Sequence, residues 1–477
     1  MTGIVGIPAA LALLILLAYR GVSVLIAAPV AAIVAAVSAG APVLASLTQV
    51  MMPALGNFVM QFLLLFLLGA MFGKLMEDSG AARKLAEAMV TRLGAANTIP
   101  AVVLACAVLT YGGVSLFVVA FAVAPLAAEL FARSRLPHAL IPATIALGAF
   151  TFTMTALPGT PAIQNAIPMP FFGTTVFAAP GLGLIGAMVM LFFGLAWLIW
   201  RARYGRLADD PAPATVPDPA LSCRMREMAQ GEGFDIAEAR RDGTAPAGLP
   251  PFWVALAPII AVVALNAAFA ALVLPALGTA YLADPRWGAT DFTRVRGIWA
   301  ILMALAATIV LMILLNRRRL PNLIESLGAG ASAAALPALN TAVLVGFGAV
   351  VASLPAFALV RDAVLEIAPD NPLISLSVAV NVLAGITGSA SGGMSIALST
   401  MGETYLARAT AAGIDPAVLH RITAIATGGL DALPHNGAVV TLLTVCRLDH
   451  RRAYGDIFMV ACAGPILALV VLLVLVG

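Results

Sequence analysis

Charged residues are scarce in this chain. Only 10% of its 477 residues are Asp, Glu, Lys or Arg, whereas 62% are hydrophobic. Soluble domains carry about 25% charged and about 45–50% apolar residues, so a soluble fold is excluded. The length allows about ten to twelve apolar spans of ~20 residues each. We therefore expect an all-α polytopic membrane protein, because helices satisfy their own backbone hydrogen bonds in lipid.

Catalytic and metal-binding motifs are also missing. The four cysteines show no CxxC spacing, no HExxH occurs, and His, Cys and carboxylate residues form no cluster with ligand spacing. The segment from Gly69 to Leu75 is similar to a P-loop, but it is one residue short and lacks Ser or Thr after Lys74. We expect no enzymatic activity, no metal, no cofactor and no nucleic-acid partner.

Two apolar segments have a centre rich in glycine and serine. Segment 98–131 contains Gly112-Gly113-Val114-Ser115, and segment 374–408 contains the run from Gly388 to Gly393. A flexible break halfway along an apolar stretch favours a re-entrant hairpin, in which two half-helices turn at membrane depth. A kinked or closely packed single helix is the alternative for each segment taken alone.

The distribution of basic residues favours the hairpins. If both segments are hairpins, all but six of the 26 Lys and Arg residues share one side, which the positive-inside rule makes cytoplasmic. The six that would face the other side are Arg286, Arg294, Arg296, Arg361, Arg408 and Arg421. A full crossing by 98–131 alone would separate the cluster Arg201–Arg206 from Arg133 and Arg135. We therefore predict two hairpins.

A single offset relates the two halves of the sequence. A shift of 276 residues carries Thr155-Ala-Leu-Pro158 onto Asp431-Ala-Leu-Pro434, and Gly112 onto Gly388. The first half would start outside and the second half inside, so the repeats are inverted. Many secondary transporters have this arrangement, with a binding site at the repeat interface near the midplane.

The predicted organisation has two repeats and a connecting segment. The first inverted repeat covers 1–201, with its hairpin at 98–131 and a broken helix at 141–175. The second covers 251–477, with its hairpin at 374–408 and a broken helix at 421–446. Between them, 202–250 is polar and rich in Pro, Asp and Arg, as expected of a cytoplasmic linker.

Asp431 is an acid near the centre of an apolar span. It lies about ten residues, or ~15 Å of helix, from the nearer end of the span, which is close to the midplane. A charge at that depth is costly unless it has a partner, and Pro434 interrupts the backbone ladder nearby. We expect Asp431 to be a proton carrier; the alternative is a structural carboxylate that caps the second half-helix. His435 is a candidate substrate ligand, proton relay or satisfied polar residue.

Substrate-binding residues are predicted at both hairpin tips and both helix breaks. They are Gly112, Gly113, Ser115, Gly159, Thr160, Gln164, Asn165, Gly388, Ser389, Ser391, Gly392, Gly393, His435 and Asn436, with Pro158 and Pro434 as helix breakers. Unpaired N–H groups at broken helices suit a carboxylate. Because no Arg or Lys is expected in mid-span, a small, singly charged, hydroxyl-bearing substrate is favoured. His138, His420 and His450 are expected in solvated loops.

Three motifs resemble the gluconate permease (GntP) family of the ion transporter superfamily. They are Phe152–Pro161 with Ile163-Gln164-Asn165, Leu109–Ser115, and Gly429–Gly437, and they look closest to the hydroxybutyrate permease-like branch. The resemblance implies proton-coupled uptake of a small hydroxylated monocarboxylate, similar to gluconate or 3-hydroxybutyrate. It also implies a homodimer in the bacterial cytoplasmic membrane that works by an elevator mechanism.

Thr155 departs from the pattern of that branch, which has Asp before Ala-Leu-Pro in the first half as well. Proton coupling would then rely on Asp431 alone, so the stoichiometry is open. Two alternatives remain. One is a sodium-coupled carboxylate symporter, because hydroxyl- and carbonyl-rich hairpin tips also suit Na⁺. The other is an uncoupled facilitator or channel, which the absence of an acid at Thr155 would allow.

Overall fold

The computed structural model describes residues 2–20, 22–93, 97–204, 248–369, 371–434 and 436–476. Every regular element in these ranges is a helix. Seven of the described helices are long and apolar enough to cross a membrane, by length and composition. They are Val43–Asp78, His138–Thr155, Pro180–Tyr204, Phe252–Ala276, Phe292–Asn316, Leu323–Ser353 and His450–Val476. Of these, His138–Thr155 is interrupted at 150–151. The chain is a polytopic helical membrane protein, which confirms the prediction from composition.

The first half contains eight longer helices in the described ranges. They are α1 (Thr2–Tyr19), α2 (Val24–Ser38), α3 (Val43–Asp78), α4 (Ala81–Leu93), α5 (Thr98–Tyr111), α6 (Leu116–Arg133), α7 (Ile141–Ala149) and α8 (Pro180–Tyr204). Three short helices lie between α7 and α8: Phe152–Thr155, Ile163–Ala166 and Pro168–Phe172.

The second half contains nine longer helices in the described ranges. They are α9 (Phe252–Ala276), α10 (Phe292–Asn316), α11 (Leu323–Ser353), α12 (Phe357–Leu365), α13 (Pro372–Thr387), α14 (Ala390–Ala411), α15 (Pro416–Ala426), α16 (Gly437–Val445) and α17 (His450–Val476). The order of helices after α3 therefore resembles the order after α11. The division into two repeats stays a prediction, and the predicted linker falls mostly on 205–247, outside the described residues; α8 itself continues to Tyr204.

Both glycine-rich segments fold as helical hairpins. Helices α5 and α6 contact each other and turn at 112–115, and α13 and α14 pack together around a turn at 388–389. The hairpins extend slightly further than predicted, to 98–133 and 372–411. At Gly393 the absence of a side chain lets α14 touch the backbone of Ala384 in α13, because a Cβ there would overlap it.

Both broken helices are interrupted over a longer stretch than proline alone predicts. We call 150–162 break 1 and 427–436 break 2. The helix before break 2 ends at Ala426, well ahead of Pro434. The glycines there allow close packing, since a Cβ on Gly429 would overlap the side chain of Asn381 in α13. The segment predicted as 141–175 ends its last helix at Phe172.

The start of the second broken helix was predicted too late. Helix α15 begins at Pro416, not at residue 421. Asp415 is its N-cap and accepts a hydrogen bond from the backbone N–H of Ala417 at 2.8 Å. An acidic N-cap followed by proline at the first helical position is a strong helix start. The polar pair His420-Arg421 therefore lies inside a helix and not at its end.

The two halves pack crosswise around the breaks. Helix α16, which follows break 2, packs against α6 of the first hairpin. The short helices Ile163–Ala166 and Pro168–Phe172, which follow break 1, pack against α14 of the second hairpin and against α15. The helices that follow each break therefore contact the hairpin of the other half.

Candidate functional site at the two helix breaks

Asp431 lies in break 2 and faces the tip of the second hairpin. Its carboxylate accepts a hydrogen bond from the side-chain amide of Asn436 at 3.2 Å. The backbone N–H of Ala390, the first residue of α14, also lies close to this carboxylate. A carboxylate at the start of a 22-residue helix is favoured by the positive end of the helix dipole. Asp431 therefore lies at the start of α14, whereas the N-cap of α16 is Asn436.

Asn436 connects three parts of the second half. Its Nδ2 donates to the backbone O of Gly388 at 2.9 Å and to Asp431. Its Oδ1 accepts from the backbone N–H groups of Ala438 and Val439, which makes it the N-cap of α16. One buried amide therefore holds the hairpin tip, the acid and the helix after the break in a fixed relationship.

The loop of break 2 is also held from α17. The phenol of Tyr454 donates to the backbone O of Ala432 at 3.2 Å, and Nε2 of His450 lies 2.9 Å from the backbone O of Pro434. His450 is solvent-exposed, as predicted, but it begins a helix and contacts this loop. His435 lies outside the described residues.

Hydroxyl groups line the tip of the second hairpin. The Oγ of Ser389 accepts from the backbone N–H of Gly392 at 3.2 Å and lies 3.3 Å from the Oγ of Ser391. Ser391 in turn lies 3.3 Å from the hydroxyl of Thr341 in α11. The predicted residues Gly388, Ser389, Ser391 and Gly392 thus belong to one tip that adjoins Asp431.

Break 1 meets the tip of the first hairpin in a similar way. The phenol of Tyr111 donates to the backbone O of Pro158 at 2.8 Å. Gly113 has φ of +89°, and a Cβ there would lie 2.6 Å from Cγ of Pro161, so this position needs glycine on two grounds. Gly159 likewise has φ of +87°, and its N–H donates to the backbone O of Val176 at 3.0 Å.

Asn165 organises the far side of break 1. Its Nδ2 donates to the backbone O atoms of Thr160 at 3.1 Å and of Val176 at 3.0 Å. Its side chain and that of Thr160 are completely buried. The neighbouring Gln164 is buried as well, and its Oε1 has no hydrogen-bond partner among the described residues. A buried acceptor without a donor is an expensive arrangement that a bound hydroxyl group would relieve.

The side chain of Arg421 reaches break 1 from the other half, which the sequence did not reveal. It is fully buried, although an outward-facing position was expected. Its Nε donates to Ala178 O at 3.1 Å, and Nη2 donates to Ala178 O at 2.8 Å and to Val176 O at 3.2 Å. Its Nη1 donates to Thr155 O at 3.3 Å and to Oδ1 of Asn165 at 3.1 Å.

His420 is buried beside Arg421, so the expectation of a solvated loop was wrong for this residue. Its Nε2 lies 3.1 Å from Oδ1 of Asn165, and its Nδ1 lies 2.6 Å from the hydroxyl of Thr174. Because an amide oxygen only accepts, Nε2 carries the proton and Nδ1 accepts from Thr174. A neutral imidazole satisfies both contacts. The helix-start signal at Asp415 and Pro416 could have placed this residue inside α15.

The two breaks hold ionisable groups of opposite type. Break 1 holds the guanidinium of Arg421, and break 2 holds the carboxylate of Asp431. In the described part of the chain, His, Cys, Asp and Glu do not gather in groups of three that would hold a metal ion. The site can therefore offer an anion a positive field at one break and offer a proton a carboxylate at the other.

Two broken helices, two hairpin tips and a polar interior within an apolar exterior define a polytopic membrane transporter. The chain is 41% identical to the "Uncharacterized transporter YxjC" of Bacillus subtilis (strain 168) over a 476-residue alignment, and the match covers 94% of each chain. It belongs to the same transporter family. No protein-family model matches the chain.

Proposed function

We propose that this membrane transporter is a secondary active symporter that imports a small hydroxylated monocarboxylate, similar to gluconate or 3-hydroxybutyrate, with protons. The observation that carries the proposal is the position of Asp431, which contacts the tip of the second hairpin and Asn436 within break 2. The bacterial cytoplasmic membrane is the proposed location. A homodimer is the proposed assembly.

Protonation of Asp431 would loosen the second hairpin tip. The ionised carboxylate accepts from Asn436 and lies close to the N–H donor of Ala390, and charged acceptors form stronger hydrogen bonds than neutral ones. Adding a proton removes the charge that both donors contact. The bond between Asn436 and Gly388 would then hold the tip with less support. Proton binding is in this way linked to a movement of the hairpin against break 2.

A single proton site sets the expected stoichiometry. The position that corresponds to Asp431 in the first half is Thr155, whose hydroxyl donates to the backbone O of Thr151. One proton carried with one monocarboxylate moves no net charge. Import then avoids the electrical work of about 2.3 kcal/mol per charge per 100 mV that an anion faces against an inside-negative potential. We propose electroneutral one-to-one symport.

Uptake into proteoliposomes tests this function. The purified protein is reconstituted, and accumulation of labelled gluconate or 3-hydroxybutyrate is driven by an inwardly directed proton gradient. Asp431→Asn should abolish accumulation but spare exchange of internal for external substrate. Asp362→Asn is the matched control, because Asp362 is exposed and pairs with the neighbouring Arg361. Persistent accumulation by the Asp431 variant would contradict the proposed proton site.

Sodium coupling is the second candidate. The linked hydroxyl groups of Ser389, Ser391 and Thr341 at the second hairpin tip motivate it, because hard cations prefer oxygen ligands. Replacing sodium by choline at constant pH separates the two couplings. A failure to concentrate either acid under a proton or a sodium gradient would instead favour an uncoupled facilitator.

A further inference from the structure

Arg421 is a buried cation with no ion-pair partner among the described residues. All five of its N–H groups are used, but the acceptors are three backbone carbonyl groups and the amide oxygen of Asn165. These neutral acceptors satisfy its hydrogen bonds and leave its full charge in place. In a low-dielectric interior that charge acts over a longer distance than it would in water. A negatively charged ligand is therefore favoured close to break 1.

The surroundings of Arg421 do not neutralise it. The neighbouring His420 is neutral in the hydrogen-bonding arrangement described above. Asp456, a buried acid, is already paired with Arg201 at 3.0 Å. Asp431 is held by the second hairpin tip in break 2. The side chain of Thr155, whose backbone O contacts Nη1 of Arg421, carries no charge.

We propose that Arg421 supplies the positive charge that selects a carboxylate and directs it to break 1, while the proton binds at break 2. The guanidinium acts through space, since its donors are occupied. Its hydrogen bonds also join Thr155 of break 1 to Asn165, Val176 and Ala178. The hydroxyl end of the substrate then lies toward Gln164, whose buried Oε1 has no described donor. This inference rests on the proposed function and assigns one role to each break.

Two substitutions separate the effect of the positive charge of Arg421 from the effect of its hydrogen bonds on the structure of break 1. Arg421→Lys keeps the charge but loses the planar fork that reaches several carbonyl groups at once. Arg421→Gln loses the charge and keeps an amide donor. If Arg421 acts by its charge, the Lys variant resembles the wild type more than the Gln variant does. If it acts only by holding break 1, both variants lose function to a similar degree.

The test is a binding measurement by calorimetry on purified protein. The probes are gluconate and 3-hydroxybutyrate, together with the uncharged 3-hydroxybutyramide. Arg421→Gln should weaken binding of the acids about tenfold or more, as expected for loss of a nearby charge in a partly desolvated site. It should change the affinity for the amide by less than about threefold. Arg408→Gln is the control, because Arg408 lies in the same half but is exposed, and its guanidinium donates to the backbone O of Leu365.

Asn165→Asp offers a second test, because it keeps the side-chain oxygen that accepts from Nη1 of Arg421 and makes it negatively charged. A carboxylate at this position would neutralise the guanidinium. Binding of the acids should then weaken more than binding of the amide, as in Arg421→Gln. This variant decides the matter if Arg421→Gln does not fold. Equal losses for the acids and the amide in the folded variants would overturn the inference. If the wild type binds neither acid, the proposed function itself is wrong.

Discussion

The hydroxyl groups of Thr98 and Ser134 lie 2.6 Å apart, although 36 residues of chain separate them. Thr98 begins α5 and Ser134 directly follows α6. A continuous helix of that length would place the two residues roughly 54 Å apart. The first hairpin therefore returns to the level at which it starts, as expected of a re-entrant segment.

This return predicts which residues are labelled from each side of the membrane. Cysteines replacing the exposed residues Asn97 and Arg135, which flank the first hairpin, should react with an impermeant maleimide from the same side. A cysteine replacing the exposed Ala412, after the second hairpin, should react only from the other side. The measurement uses intact and inverted vesicles in a background without native cysteines. Labelling of positions 97 and 135 from opposite sides would exclude the hairpin.

Removing the side-chain amide of Asn165 should destabilise break 1. Asn165→Ala leaves the backbone carbonyl of Thr160 without its amide donor and removes an acceptor of both His420 and Arg421. Buried groups left unsatisfied cost about 1–3 kcal/mol each, so we expect a loss of at least about 2 kcal/mol in unfolding free energy. Thermal and denaturant unfolding in detergent measure it. Asn322→Ala is the control, since Asn322 is exposed and its side chain caps nothing; an equal loss there would refute the prediction.

A methyl group at Gly393 should disrupt the second hairpin. The added Cβ would overlap the backbone of Ala384, which cannot move without separating α13 from α14. Overpacking of this kind costs about 1–3 kcal/mol, so Gly393→Ala should lower the unfolding temperature and the uptake rate. Gly56→Ala is the matched control within α3, where a Cβ meets no atom within 4 Å. That change should be neutral or stabilising by up to about 1 kcal/mol. Similar behaviour of the two variants would contradict the described packing.

Asp291 should make a pH-dependent contribution to stability. The backbone N–H and the hydroxyl of Thr293 both donate to Asp291 at the start of α10 and hold the pKa of this carboxyl group below its usual value. Because the pKa is lower in the folded state, the contribution is present above the unfolded pKa of about 3.9 and disappears as pH falls through the folded pKa. Asp291→Ala should therefore lower the unfolding temperature at pH 7 more than at pH 3. A difference that is independent of pH would disprove this.

The helical architecture and the two hairpins could be predicted because they leave local signals in the sequence. Low charge and long apolar runs indicate spanning helices, and Gly112-Gly113 and Gly388 mark turns that only flexible residues form easily. The pairing of Asp431 with a hairpin tip also follows from a visible motif, since the acid and the glycine-rich tip each interrupt an apolar stretch. These features depend on residue type at nearby positions.

The position of Arg421 could not be read from apolar runs. A charged residue next to an apolar stretch suggests the end of a span, but this one lies inside α15. Its partners Val176 and Ala178 contribute only backbone carbonyl groups, which every residue has, from more than 240 positions away. The amino-acid types at these positions therefore give no indication of the contact. Break 2 begins earlier than Pro434 alone predicts, and the close approach of Gly429 to Asn381 in α13 is likewise not visible in the sequence.

The contact between Asn165 and Arg421 joins residues that are 256 positions apart. A ribosome that adds roughly 5–20 residues per second needs about 10–50 s to synthesise that interval. During this time Asn165 and the carbonyl groups of Thr155, Val176 and Ala178 lack the cation that donates to them. The first half is therefore synthesised before Arg421. Insertion factors or proteases that act early would encounter break 1 without its contact to this residue.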